Sequence, residues 1–287
     1  MAWVILFRVV LSVSANAVQK RLLLDRAGVN HTWILTYALM LGPATILALA
    51  TRTPVGDGFW LNILIGGGLD AIGNLAMVAA LRGTDLSIFG PLNAIRPILA
   101  LIFGWLFLAE TPNAIGLIGI AVTVFGGVIL FSGGENSTAS RFSVIWKALL
   151  FRILGLSLGV AGAVFLKRAA MVSSAASTVA AWILCGLMVL IFYAALRHRD
   201  ALVTLKPALG SHWQWLLLHS GVFLTMQLLT ISIFQKTLLA YSFVYFQLGM
   251  VLQVFVGRIF FNEGHFVRRI VAAFVMAVGS ALILARG

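Results

Sequence analysis

Ten runs of mostly apolar residues, each long enough for a membrane helix, fill nearly the whole chain. They lie near 2–23, 32–51, 59–81, 86–108, 113–132, 144–168, 174–196, 213–235, 239–261 and 266–285, parted by short Gly, Pro and charged punctuation. A bilayer core takes about 20 residues of helix, so each run predicts one span. Ten spans use most of the 287 residues and leave no room for a soluble domain of useful size. Composition agrees: 61% of residues are hydrophobic and 10% charged, where soluble domains have about 45–50% and about 25%. The mean hydropathy is +1.06. An ordinary globular enzyme, a disordered chain and a disulfide scaffold are excluded.

Twenty Lys and Arg stand against eight Asp and Glu, a formal net charge of +12. They are scattered over loops and spans, with no basic tail and no RNA-reading motif. Membrane lipids, not nucleic acid, are therefore the expected partners. Cys185 is the one cysteine, so no intrachain disulfide and no cysteine metal site is expected. Arg8 interrupts the first run, which continues into Asn16, Gln19 and Lys20, so no cleavable signal is expected. The expected location is the cell (inner) membrane, crossed many times.

The small, polar stretch Ser132-Gly133-Gly134-Glu135-Asn136-Ser137-Thr138 divides the chain almost in half. The halves read as copies. An offset of 153 pairs Phe107 with Phe260, Glu110 with Glu263, Gly126 with Gly279 and Asn74 with Gln227. Leu6-Phe7-Arg8 and Lys20-Arg21 have counterparts in Leu150-Phe151-Arg152 and Lys167-Arg168. The expected organisation is one membrane domain built from a first five-helix repeat, 1–136, and a second, 137–287. An odd number of spans per repeat makes the second copy enter the membrane upside down. The fold class is thus all-α, ten transmembrane helices as two inverted repeats around a central cavity. That architecture serves many secondary transporters.

Leu86-Ser87-Ile88-Phe89-Gly90-Pro91-Leu92-Asn93 opens the fourth span, and Gly104-Trp105-Leu106-Phe107-Leu108-Ala109-Glu110 closes it. Gly116, Gly119 and Gly126 lie in the fifth. With five plus five spans, the chain resembles the EamA-type transporters of the drug/metabolite transporter superfamily. The resemblance implies a basket of ten helices, the first four of each repeat lining a cavity and the fifth peripheral. Substrates in the superfamily include amino acids, nucleotide sugars, phosphorylated sugars and drugs.

Charged groups inside spans are costly and usually face a cavity or a partner. Asp70 and Arg96 fall near the middle of their runs, and Arg8 and Arg152 somewhat nearer the ends. Snorkelling is the plain alternative for Arg8 and Arg152, and a structural ion pair with Asp70 for Arg96. Polar residues recur at helical spacing: Arg8, Ser12, Asn16 and Lys20; Asn62, Gly66, Asp70 and Asn74; Arg152, Gly155, Gly159, Gly162 and Lys167; Ser242, Tyr245, Gly249 and Gln253. Lipid cannot satisfy such stripes, so they point inward, as interhelical glue or as cavity lining. The candidate substrate contacts are Arg8, Asn16, Lys20, Asp70, Asn74, Asn93, Arg96, Arg152, Lys167, Gln227, Tyr245 and Gln253. Asp70 and Arg96 are expected to face the same central cavity.

Five cations against one deep acid favour an anionic substrate, a carboxylate or a phosphate. Small multidrug-resistance relatives use a glutamate in the first span, and no acid lies between Met1 and Arg21 here. That disfavours cationic-drug antiport and leaves Asp70 as the deep proton carrier. An enzyme's requirements are poorly met: no Ser/His/Asp set or phosphate loop occurs, and His212 and His219 are about two helical turns apart, too far to share a metal. Trp105, Trp182, Tyr241 and Tyr245 could stack on a substrate ring or serve as packing and interfacial anchors.

The reading is a secondary transporter of a small anionic organic metabolite working by alternating access, with no enzymatic activity, cofactor or metal, and monomeric. The alternatives are a flippase for an anionic lipid and an exporter of amino acids or drugs. Odd-numbered loops hold eleven Lys and Arg, even-numbered loops and the C-terminal end five. Positive loops stay cytoplasmic, which predicts both termini outside. The family resemblance implies both inside.

Overall fold

The computed structural model describes residues 1–24, 29–81, 93–131, 142–197, 205–261 and 266–286. These are helical apart from turns and short connections, with no strand among the described residues. The helices are α1 (Ala2–Leu24), α2 (Val29–Thr51), α3 (Phe59–Leu81), α4 (Arg96–Leu108), α5 (Ala114–Phe131), α6 (Phe142–Met171), α7 (Ala175–Arg197), α8 (Leu205–Lys236), α9 (Leu239–Phe261) and α10 (Phe266–Arg286). Among the described residues six helices contain a segment long and apolar enough to cross a membrane: Ala2–Gln19, His31–Thr51, Phe59–Met77, Leu150–Met171, Ala175–Arg197 and His212–Lys236. Trp3, Trp60, Trp105, Phe125, Phe192 and Phe274 are exposed, the surface a helix bundle presents to lipid, where water would drive such rings inward.

Two predicted spans differ from their helices. The run 86–108 is not one continuous helix: Ala94 and Ile95 form a turn, and α4 starts at Arg96 with Pro97 in its first turn. Proline has no N–H to give the carbonyl four residues back, so the Asn93 carbonyl loses its helical donor, and the helix restarts with Leu99 N–H bonded to the Ile95 carbonyl at 3.0 Å. The run 213–235 is preceded by a further helical piece from Leu205, separated by a kink at His212 (φ −130°, ψ 19°). Gly210 and Ser211 stand just before it, a pairing that commonly marks helix kinks.

Local caps follow from the sequence. Asn113 Oδ1 accepts the Gly116 N–H at 2.7 Å and starts α5. Ser174 Oγ accepts the Ser177 N–H at 3.0 Å and starts α7. Ala109, left-handed at φ 54°, ends α4.

The chain forms two compact units. Unit 1 holds residues 3–71 and 165–236 with Met1; unit 2 holds 72–164 and 237–287 with Ala2. The repeats 1–136 and 137–287 are a division of the sequence pattern, and the compact units divide the chain differently. In unit 1, α2 packs on α7 and α8, and α7 on α8. Leu22 of α1, Leu35 of α2 and Leu216 of α8 form a buried cluster there. In unit 2, α9 packs on α4, α5 and α10, and α5 on α10.

Lipid tails are as apolar as leucine, so helices associate in a bilayer through close van der Waals packing at small residues. The α5–α10 crossing shows it. A Cβ added at Gly126 would meet Met276 Cγ at 2.7 Å and the Ala272 carbonyl at 3.0 Å; one at Gly279 would meet the Gly119 carbonyl at 2.7 Å and the Thr123 nitrogen at 2.8 Å. The pairs 126/279, 123/276 and 119/272 all carry the repeat's offset of 153. The contact is therefore self-complementary under that offset.

Candidate substrate site

The candidate residues fall into both units, and each unit carries its own polar constellation. In unit 2, α6 seats against α3 at two glycines: a Cβ at Gly73 would meet the Gly155 carbonyl at 2.9 Å and the Gly159 nitrogen at 3.0 Å. One turn before Gly155, Arg152 is only 7% exposed. Its Nη2 donates to Asn93 Oδ1 at 2.8 Å. Asn93 stands directly before the turn that the missing Pro97 N–H creates, so the guanidinium lies beside the start of α4. A helix start points N–H groups and the positive end of its dipole outward. Arg96, the first residue of α4, is half-buried and has Nη2 at 3.8 Å from Met77 Sδ on α3. Two arginines, an amide and a helix start thus stand around one end of α4.

Around the same end, Gln247 of α9 is buried, with Nε2 at 3.5 Å from the Ala94 carbonyl. Tyr245, two residues earlier, is buried on roughly the opposite side of α9's axis, and Asn74 on α3 is exposed. The side chain of Gln253 lies outside the described residues.

In unit 1, Arg8 Nε donates to Thr230 Oγ1 at 3.1 Å, and that hydroxyl donates to the Met226 carbonyl at 2.8 Å. Thr230 is thereby satisfied as both donor and acceptor. Lys167, near the end of α6, is 8% exposed. Asp70 on α3 accepts the Trp182 indole N–H at 3.2 Å. Gln227 is half-buried and Asn16 exposed, and the Lys20 side chain lies outside the described residues.

The sequence reading missed Thr230, Gln247 and an aromatic group around the buried His219 in unit 1. His219 Nδ1 and Thr36 Oγ1 are 3.1 Å apart. The His219 ring stacks on Phe223 at 5.7 Å and meets Trp33 edge-on at 6.2 Å. The pairs Trp33/Tyr37 and His219/Phe223 stand at i, i+4, one helical face each, which was the available signal. Among the described residues no group of three or more His, Cys, Asp or Glu side chains could hold a metal ion.

Membrane-length apolar helices with arginine and lysine buried among them define a multi-pass membrane protein with a polar interior. The comparisons carry this further. Residues 1–132 match the EamA-like transporter family. The resemblance read from the fourth- and fifth-span motifs is borne out over that segment, which is similar to the EamA-like transporters. The probable magnesium transporter NIPA9 of Arabidopsis thaliana is 33% identical over 89 residues, covering 30% of this chain and 26% of that protein. The chain therefore spans about a quarter of that relative's length. A solved crystal structure, described only as that of a protein, aligns over 99% of this chain and 96% of its own, with a TM-score of 0.67 and 16% identity. At that identity the likeness is one of fold.

Proposed function

We propose that the chain moves a small anionic organic metabolite across the cell's inner membrane by alternating access of its two inverted repeats, as a monomer. The observation that carries the reading is Arg152: a guanidinium buried in a membrane helix, bonded to the neutral amide of Asn93 at 2.8 Å beside the start of α4. Such a group is expensive in a bilayer and marks a functional site by default. Arginine has five N–H donors in a planar fork that matches carboxylate and phosphate oxygens. Arg96 and the helix start add positive potential at the same place. Unit 1 carries buried or bonded cations of its own, Lys167 and the Thr230-bonded Arg8.

The likeness to a probable magnesium transporter favours a second reading, a divalent cation as cargo. Purified protein in liposomes separates the two. Saturable uptake of a labelled carboxylate or phosphate ester, lost in Arg152→Ala, supports the anion reading. Magnesium uptake with no anion uptake overturns it. Flipping of a labelled anionic lipid without soluble-anion uptake, or uptake of amino acids or drug cations alone, would replace it by the corresponding alternative.

A further inference from the structure

Unit 1 holds a constellation that the anion reading does not use. Trp33 and Tyr37 of α2, Trp182 of α7 and Phe223 of α8 form a closed circuit of rings. Centroid separations around it are 6.1 Å for Trp33–Tyr37, 5.2 Å for Tyr37–Trp182, 6.5 Å for Trp182–Phe223 and 5.6 Å for Phe223–Trp33. The interplanar angles are 69°, 50°, 42° and 70°, so no neighbouring pair is stacked. A group inside a circuit of this size lies within about 6 Å of all four centroids, the range over which a cation is attracted to an aromatic face.

A packed aromatic core needs no carboxylate, and a carboxylate in a span is costly. Yet Asp70 reaches Trp182, its Oδ2 taking the indole N–H at 3.2 Å. That bond fixes the ring's orientation and sets a negative group at the circuit's edge. Tyr37 and Trp182 are each 5% exposed or less, whereas Trp33, Phe223 and Asp70 are half-buried. Two members of the circuit are thus buried, and Trp33, Phe223 and the Asp70 carboxylate keep part of their surface uncovered. His219 backs it, stacked on Phe223 and bonded to Thr36.

We propose that Trp33, Tyr37, Trp182 and Phe223, with Asp70 at the rim, form a binding site for an organic ammonium group. Aromatic faces suit a weakly hydrated alkylammonium. They cannot replace the oxygen ligands of a magnesium ion, which gives up its water reluctantly. The inference rests on unit 1 residues alone and stands apart from the anion reading. The ammonium belongs either to the transported molecule or to a second ligand.

The test is calorimetric titration of the purified full chain with tetramethylammonium chloride, against sodium chloride at equal ionic strength. Saturable binding is expected, weakened at least about tenfold in Trp33→Leu and in Asp70→Asn. Trp33→Phe serves where Trp33→Leu fails to fold, and melting temperature reports which variants are folded. No saturable binding, binding indifferent to both Trp33 and Asp70 substitutions, or binding of magnesium in place of tetramethylammonium would overturn the proposal. Labelled tetramethylammonium and protein-loaded liposomes distinguish the two sources: uptake that Trp33→Leu abolishes makes the ammonium part of the transported molecule, and saturable binding without uptake makes it a ligand of its own. The anion reading is tested by anion uptake and so can fail or stand separately.

Discussion

Glu110, in the turn that follows α4, accepts the backbone N–H of Leu239, the first residue of α9, at 2.6 Å. A helix leaves its first N–H groups without internal partners, and a carboxylate there satisfies one while complementing the helix dipole. Glu110 Oε2 also lies 3.1 Å from where a Cβ on Gly104 would stand, so the small residue leaves room for it. Glu110 thus ties the end of α4 to the beginning of α9 within unit 2.

Removing that cap should cost stability without touching the candidate site. Glu110→Ala is expected to destabilise by about 1 kcal/mol, the usual worth of a helix N-cap. Glu110→Gln keeps an accepting oxygen and should lose less. Thermal melting in detergent checks both, and equal melting temperatures for the native chain and Glu110→Ala would show that the bond contributes nothing.

The α5–α10 crossing has no space for a side chain at its glycines. Gly279→Ala sets a methyl against the Gly119 carbonyl and the Thr123 backbone, where the obstruction is main chain and cannot rotate away. Overpacking of this kind costs about 1–3 kcal/mol. Gly68→Ala is the control, since nothing lies within 4 Å of its added carbon and alanine is the better helix former by about 1 kcal/mol. Opposite shifts in melting temperature are expected.

Neutralising Arg152 in place should stop anion transport and spare the fold. Asn93→Asp puts a carboxylate where the amide now accepts from Nη2, a charge-assisted bond that is stronger than the present one. Anion uptake should fall at least about tenfold while melting temperature holds or rises. Arg152→Lys keeps the charge but not the fork, so uptake is expected to drop mainly through a raised KM. Undiminished uptake in Asn93→Asp would exclude Arg152 as the anion contact.

The excess of Lys and Arg in the odd-numbered loops predicts that the connection between α7 and α8, residues 198–204, is cytoplasmic. A cysteine introduced at position 201 in a Cys185→Ala background reads this directly. The native Cys185 is buried against α3, near where a Gly67 side chain would be. Protection from an impermeant thiol reagent until the membrane is opened is expected. Labelling in intact cells would instead place both termini inside, as the family resemblance implies.

Helix positions were legible in the sequence because bilayer thickness sets them. The run read as 59–81 is α3, Phe59–Leu81, and the run read as 239–261 is α9, Leu239–Phe261. The fifth-span glycines were legible as packing residues because close helix approach in lipid requires small side chains. Pro97 carried the signal for the turn at Ala94 and Ile95, but an apolar run hides a break that hydropathy does not register.

Which helices are neighbours was decided by the tertiary structure. Periodicity describes one helix at a time: it put Arg8, Asn16 and Lys20 on a common face, yet Arg8 meets Thr230 while Asn16 is exposed. The Arg152–Asn93 bond joins residues 59 positions apart, and Asp70 meets Trp182 across 112. No local spacing encodes those partners. The sequence by itself determined that charges lie within membrane helices, because their cost in lipid is a property of each residue. Only the packing of the helices decided which polar groups and aromatic rings surround each charge, because in a bilayer that choice is made by shape and hydrogen bonding between segments far apart in the chain.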